Sequence, residues 1–186
     1  MATGQQLNPP LQTLETIEGV YTTNIRTFKD ERGQFMETFR REWFDWVNWD
    51  RFQNNRSDSN AGVLRGLHYH FNQIDYWYVS RGKIRAALVD LRPQSPTYMT
   101  SVTLDVGEEH NIGLFIPIGV AHGFVALTDC TLNYIVNNYY DGGDEFGVAW
   151  HDPALKLNWG IENPNISGRD AQNPLLKDIP AEHLPR

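Results

Sequence analysis

From Gly19 onward the chain alternates short apolar or β-branched runs with clusters of Gly, Pro, Asn and Asp. GVYTTNIRTF, the turn-like KDERG and then QFMETF read as two strands joined by a tight connection. Glu42–Asp50 breaks the pattern: Trp43, Trp46 and Val47 fall at helical spacing, which predicts a short amphipathic helix whose aromatic stripe faces core or a subunit interface. After it the strand signals return as RFQNN, VLRGLHYHF, DYWYVS, KIRAALVDL, YMTSVTLDV, IGLFIPI, HGFVAL and TLNYIVNNYY. Many short strands separated by frequent turns indicate an all-β sandwich or barrel. The polar first seventeen or so residues, with Pro9 and Pro10, read as a loose arm. Beyond Asp152 the proline-spaced tail predicts one or two short helical turns packed across the barrel.

Length and composition narrow this picture. A chain of 186 residues is expected to form a single domain, residues 1–186. The 21% charged and 40% hydrophobic composition is that of an ordinary soluble protein. No run approaches the roughly 20 apolar residues of a membrane span, and the first residues lack the basic and apolar regions of a signal peptide. The expectation is a cytoplasmic protein with no membrane partner. A net charge of −7 argues against nucleic acid but leaves room for a small anionic ligand gripped by a few arginines. The single cysteine, Cys130, excludes an internal disulfide and a cysteine metal cluster, and reads as a small apolar strand residue.

The chemistry concentrates between Gly62 and Gly82. On a strand, His68 and His70 face the same way. Asp75 opens the next strand, and His122 follows the Pro117–Gly119 turn. Three histidines and a carboxylate suit a divalent ion, and they equally suit proton transfer by a free imidazole. The spacing Gly62, His68, His70, Asp75, Gly82, with Pro117, Gly119 and His122, resembles the two motifs of the cupin β-barrels.

A second resemblance covers residues 18 to 178. Asp30-x-Arg32-Gly33-x-Phe35-x-Glu37, Gln53-x-Asn55-x-Ser57-x-Ser59, Gly62 to Tyr69, Val89 to Arg92 with Ser95 to Thr97, Pro117 to Phe124, Tyr134 with Tyr140, Asp152-Pro153, and Ser167-x-Arg169-Asp170 occur in order. Together they are similar to the dTDP-4-dehydrorhamnose 3,5-epimerase family, a metal-independent branch of the cupins. The resemblance implies a cupin-type double-stranded β-helix, a jelly-roll barrel with short peripheral helices. It also implies an isomerase acting on a nucleotide-linked 4-keto-6-deoxyhexose with no cofactor and no metal. Hydrogens at C3 and C5 of such a sugar flank a ketone, so inversion needs a base on one face, an acid on the other and a stabilised enolate oxygen. The resemblance assigns His68 as base, Asp170 as its orienting partner and Tyr134 as acid. It places Arg32, Arg65 and Arg169 at the diphosphate, and Glu37, Gln53, Asn55, Tyr140, Asp75 and His122 elsewhere around the substrate. It further implies a homodimer in which the strand from Arg32 to Glu37 reaches the partner's site.

One position departs from the family. A lysine usually stands seven residues before the closing glycine, able to stabilise the enolate oxygen, and here that position is Asp75. Three readings follow: an epimerase whose oxyanion is held by another group, a metal-dependent cupin enzyme using His68, His70, Asp75 and His122, or a non-catalytic sugar-nucleotide-binding homologue.

Overall fold

A computed structural model describes residues 11–185. In chain order the strands are β1 (Leu11–Thr13), β2 (Tyr21–Asn24), β3 (Thr27–Asp30), β4 (Gly33–Met36), β5 (Gln53–Ser59), β6 (Val63–Tyr69) and β7 (Asp75–Arg81). They continue with β8 (Lys83–Asp90), β9 (Ser101–Gly107), β10 (Ile112–Ile116), β11 (Val120–Ala126), β12 (Cys130–Val136), β13 (Phe146–Gly147) and β14 (Asn165–Ile166). One sheet has the order β1-β2-β10-β7-β12-β5; the other is β13-β6-β11-β8-β9, with β14 beside β6. These two sheets form the expected jelly-roll barrel. A separate hairpin, β3–β4, turns at Glu31 and Arg32.

Apolar residues fill three layers, and this explains the sequence pattern. Between the sheets lie Trp77 and Val79 of β7, Ile84, Ala86 and Leu88 of β8, Leu114 and Ile116 of β10, and Phe124 and Leu132. The outer face of the second sheet, with Leu64, Leu67, Tyr69, Ala87, Val89 and Val125, is covered by the tail through Val148, Leu155, Trp159 and Ile179. Trp43 and Phe44 cover the first sheet at Tyr76 and Phe115. Strands β8 and β11 are therefore buried on both faces and read as near-continuous apolar runs, whereas one-sided β5 alternates.

Several expectations need correction. The predicted helix over Glu42–Asp50 is a single 3-10 turn, Arg41–Phe44. The buried pair is the adjacent Trp43 and Phe44, while Trp46 is 54% exposed. Phe44 stacks on Phe115 at 4.8 Å between centroids, and Asn48 accepts from the backbone of Asp50, so aromatic packing and a side-chain turn replace helical periodicity. The arm is shorter than expected: β1 pairs with β2, and Ile17 is fully buried in the inter-sheet core, where it satisfies an apolar gap that a loose arm would leave. The rest of the predicted arm lies outside the described residues. GVYTTNIRTF is divided, with Tyr21–Asn24 in the barrel and Thr27–Asp30 in the hairpin. The tail holds 3-10 turns at Pro153–Leu155, Asp170–Gln172, Leu176–Asp178 and Ala181–His183, more than the one or two expected. Cys130 is buried and unpaired, as expected.

The motif from Val89 to Thr97 proves to be structural. Asp90 is fully buried at the end of β8 and accepts from Arg92 Nε and Nη2, both at 2.8 Å, from Ser95 Oγ at 2.6 Å and from Thr97 Oγ1 at 2.7 Å. Burial pushes this carboxyl up, but these donors outweigh it and hold the group below its ordinary value. A depressed carboxyl contributes stability above its unfolded pKa and loses it as pH falls through the folded value. Asp90→Asn strands the Arg92 guanidinium and should cost about 3–5 kcal/mol, read from urea unfolding at neutral pH. The gap between wild type and variant should narrow once pH drops below about 4.

Candidate active site

A cavity of 520 Å³ opens between the sheets, and its walls are built by β6, β7, β11, β12 and the tail. Strand β6 enters it through a bulge. Against β11 the register runs His68 to His122 but Arg65 to Phe124, so β6 holds one extra residue there. In a regular strand Arg65 and His68, three apart, would face opposite sides; the bulge lets both line the cavity. Glycine makes the crossing possible. A Cβ on Gly66 would lie 2.7 Å from Gly123 Cα, and Gly66 has a φ of +116°.

His68 meets Asp170 here. The Nε2–H of His68 donates to Asp170 Oδ1 at 2.7 Å, and Gly66 N–H donates to Oδ2 at 3.1 Å. Asp170 is nearly buried, on a 3-10 turn anchored by its own N–H to Ser167 Oγ. Burial pushes Asp170 up, but His68, the Gly66 amide and Arg169 together hold it below the usual carboxylate range. With Nε2 committed to Asp170, Nδ1 is the ring nitrogen of His68 without a hydrogen-bond partner among the described residues.

Tyr134 enters from β12, on the opposite sheet. Burial, with the charges of Asp75 and Glu145, pushes its phenol up against the opposing pull of Arg65, so it holds its proton at neutral pH. Arg65 is steadied by Ser59 Oγ at 3.0 Å. Arg169 lines the wall and pairs with Glu145 at 2.9 Å.

The floor is built from His70, Asp75 and His122. Trp77 Nε1 donates to Asp75 Oδ2 at 3.0 Å and Gln73 Nε2 to Oδ1 at 2.9 Å. His122 Nδ1–H donates to Val120 O and His70 Nδ1–H to Asp144 O, at 2.9 and 2.7 Å. Burial pushes the His122 imidazole down, to about 4, although Asp75 pulls the other way. His68 and His70 do share the cavity, as their spacing predicts, but only His70 belongs to the floor. The four-residue metal set that the sequence offered as an alternative is divided, because His68 is held by Asp170.

Five expected site residues do not line the cavity of the single chain. Arg32 sits at the hairpin tip, paired with Asp30 and with its side chain 83% exposed. Glu37 pairs with Arg40. Gln53 donates to Asn55 Oδ1 at 2.8 Å and accepts from Tyr140 N–H at 3.1 Å, which gathers these three on the rim. Gln53, Asn55, Ser57 and Ser59 occupy one face of β5, a polar ridge running from the rim to Arg65. Sequence reasoning missed Glu145 as a cavity residue. Among the described residues its Oε2 and Ser57 Oγ are buried in the wall without a hydrogen-bond partner. Glu145 lies in a loop, where no periodicity marks it; Ser57 was legible by alternation from Gln53.

The sequence profile described as dTDP-4-dehydrorhamnose 3,5-epimerase matches residues 15–178. The chain belongs to that family. Relatives include the dTDP-4-dehydrorhamnose 3,5-epimerase of Shigella flexneri, 36% identical over 82% of this chain and 88% of that protein. The enzyme of the same name from Methanothermobacter thermautotrophicus is 38% identical over 89% and 94%. Among solved structures, the Legionella pneumophila dTDP-6-deoxy-D-glucose-3,5-epimerase RmlC in complex with dTDP-4-keto-L-rhamnose superposes with a TM-score of 0.85. It is 35% identical and the match covers 91% of this chain and 94% of that one. The protein is thus a carbohydrate epimerase by family, with the barrel of its solved relatives.

The bulge gives a test of how β6 is set. Gly66→Ala should cost about 1–3 kcal/mol from the clash with Gly123, seen as a lower melting temperature.

Proposed function

We propose that the protein epimerises a nucleotide-linked 4-keto-6-deoxyhexose, of the dTDP-sugar type, at C3, C5 or both. The observation that carries this reading is the His68–Asp170 pair facing Tyr134 across one cavity. His68 Nδ1 takes the proton beside the ketone while Asp170 supports the imidazolium. Tyr134, protonated at neutral pH, returns a proton from the other sheet. Inversion follows because donor and acceptor lie on opposite faces of the sugar.

Arg65 and Arg169 serve the diphosphate, and Glu145 Oε2 and Ser57 Oγ, which have no partner among the described residues, take sugar hydroxyls. Arg32, Glu37, Gln53, Asn55 and Tyr140 act at the nucleotide in a homodimer. Two features support this arrangement. The hairpin stands apart from both sheets, with Phe28 and Phe35 exposed and Arg26 over Phe28 at 4.6 Å. Beside the cavity, β5 ends its sheet with an open edge. The hairpin of one protomer then supplies Arg32 and Glu37 to the rim of its partner. A nucleotide-linked substrate accords with a cytoplasmic placement, and among the described residues no helix is long and apolar enough to cross a membrane.

Incubation with a 4-keto-6-deoxy sugar nucleotide in deuterated water, followed by NMR, should show deuterium at C3, C5 or both. His68→Ala should lower that exchange about 10²- to 10⁴-fold. Tyr134→Phe should retain exchange but lose net inversion by a similar factor. No exchange by wild-type protein would refute the reading. Sedimentation should show twice the monomer mass, and Phe35→Asp should shift the population toward monomer.

A further inference from the structure

We propose that Asp144 is a positioning residue for the sugar end of the cavity: it pins the loop between β12 and β13, residues 137–145, to the loop between β6 and β7, and so sets the side chain of Glu145. The inference deepens the epimerase reading, on which it rests for the nature of the ligand. The bonds that form the pin do not depend on that reading.

The β12–β13 loop has no apolar anchor. Of residues 137–145 only Asp144 is buried, and the two large side chains of the loop, Tyr139 and Tyr140, are exposed. Gly142 and Gly143 place the most permissive backbone just before Asp144. Position is therefore conferred by polar contacts. Asp144 Oδ1 accepts from Phe71 N–H at 2.8 Å and from the Asn72 side-chain amide at 3.1 Å, while Oδ2 accepts from Asn72 N–H at 3.0 Å. Asp144 O takes His70 Nδ1–H at 2.7 Å. Four bonds thus join one residue to the end of β6 and the loop that follows it, and the three to the carboxylate offset its burial. The turn is also held internally: Asp144 N–H donates to Asp141 O at 3.0 Å, and Asp141 Oδ1 accepts from Gly143 N–H at 2.8 Å.

Glu145 is the residue that this turn delivers. Immediately beyond it Phe146 and Gly147 pair with Tyr69 and His68 of β6, so its backbone is fixed on both sides. Its side chain lines the cavity, where Oε1 accepts from Arg169 at 2.9 Å and Oε2 has no partner among the described residues. An acceptor of this kind selects a sugar hydroxyl only while it is held in place. An amide at position 144 would keep the shape and lose the pin, because its NH2 would face an N–H donor where an oxygen now accepts.

The test compares two ligands by calorimetry: dTDP-glucose, which has hexose hydroxyls but no ketone, and dTDP, which lacks the hexose. Asp144→Asn should weaken dTDP-glucose about tenfold and dTDP by no more than about twofold. Glu145→Gln should do the same, and the double variant should lose no more than the larger single loss. With a 4-keto-6-deoxy sugar nucleotide, Asp144→Asn should raise KM about tenfold and leave the rate at saturation within about twofold. Asp152→Asn removes a buried acceptor of two tail amides, away from the cavity, and should lower the melting temperature while leaving both affinities unchanged. If Asp144→Asn does not fold, Asn72→Ala carries the comparison, with a smaller loss confined to dTDP-glucose. Equal losses for the two ligands, additive losses in the double variant, or a fall in kcat at unchanged KM overturns the pin. A selective loss of dTDP-glucose in a protein that performs no deuterium exchange refutes the epimerase reading and supports the pin. Exchange by wild type, with no selective loss in Asp144→Asn, supports the epimerase reading and overturns the pin.

Discussion

Asp170 is a nearly buried carboxylate that answers two donors at once, the imidazole of His68 and the amide of Gly66. A charge in that position is tolerable only while both donors are present. Both belong to the bulged strand β6, more than a hundred residues away in sequence, and the turn bearing Asp170 is held in place by the tail. The apolar cover of the second sheet, from Val148 to Ile179, is therefore also the mounting of the His68 partner. Folding and the placement of His68 share one interaction, and neither the bulge nor the tail positions the pair alone.

Much of this was legible in the residue pattern. Period-two alternation put His68 and His70 on one side, placed Ser57 beside Gln53 and Asn55, and marked the barrel strands. Conformation that depends on tertiary contact was not legible. Trp43, Trp46 and Val47 offered helical spacing, yet Phe44 is the residue that Phe115 and Tyr76 capture, and a single turn suffices to deliver it. Ile17 looked like part of an arm because one apolar residue among polar ones carries no period, although the inter-sheet core needs it. Arg65 joins His68 only because a register slip intervenes, and no local signal announces a bulge beyond its glycine. Asp90 looked like one more motif residue in the run of family matches, and its role is to bind the β8 end to the following loop.

The cavity separates two kinds of polar chemistry within a short span. On one side an imidazole is held by a buried carboxylate that also takes a backbone amide. On the floor two imidazoles are locked by backbone carbonyls, and a carboxylate is locked by an indole. The first ties an imidazole to a buried carboxylate; the second ties both imidazoles to neutral backbone groups. Asp75, held by Trp77 and Gln73, shares that floor with His70 and His122.

Strand β11 has all seven residues buried, with one sheet face toward the barrel core and the other under the tail. It carries His122 and the glycine that lets β6 pass. A strand enclosed on both sides has no position where side-chain size can drift without displacing a neighbour. Strand β5, open on one side, and the loop bearing Glu145 have that freedom. The rim and the loops can therefore take a change of side-chain size that the crowded strand beneath the floor cannot.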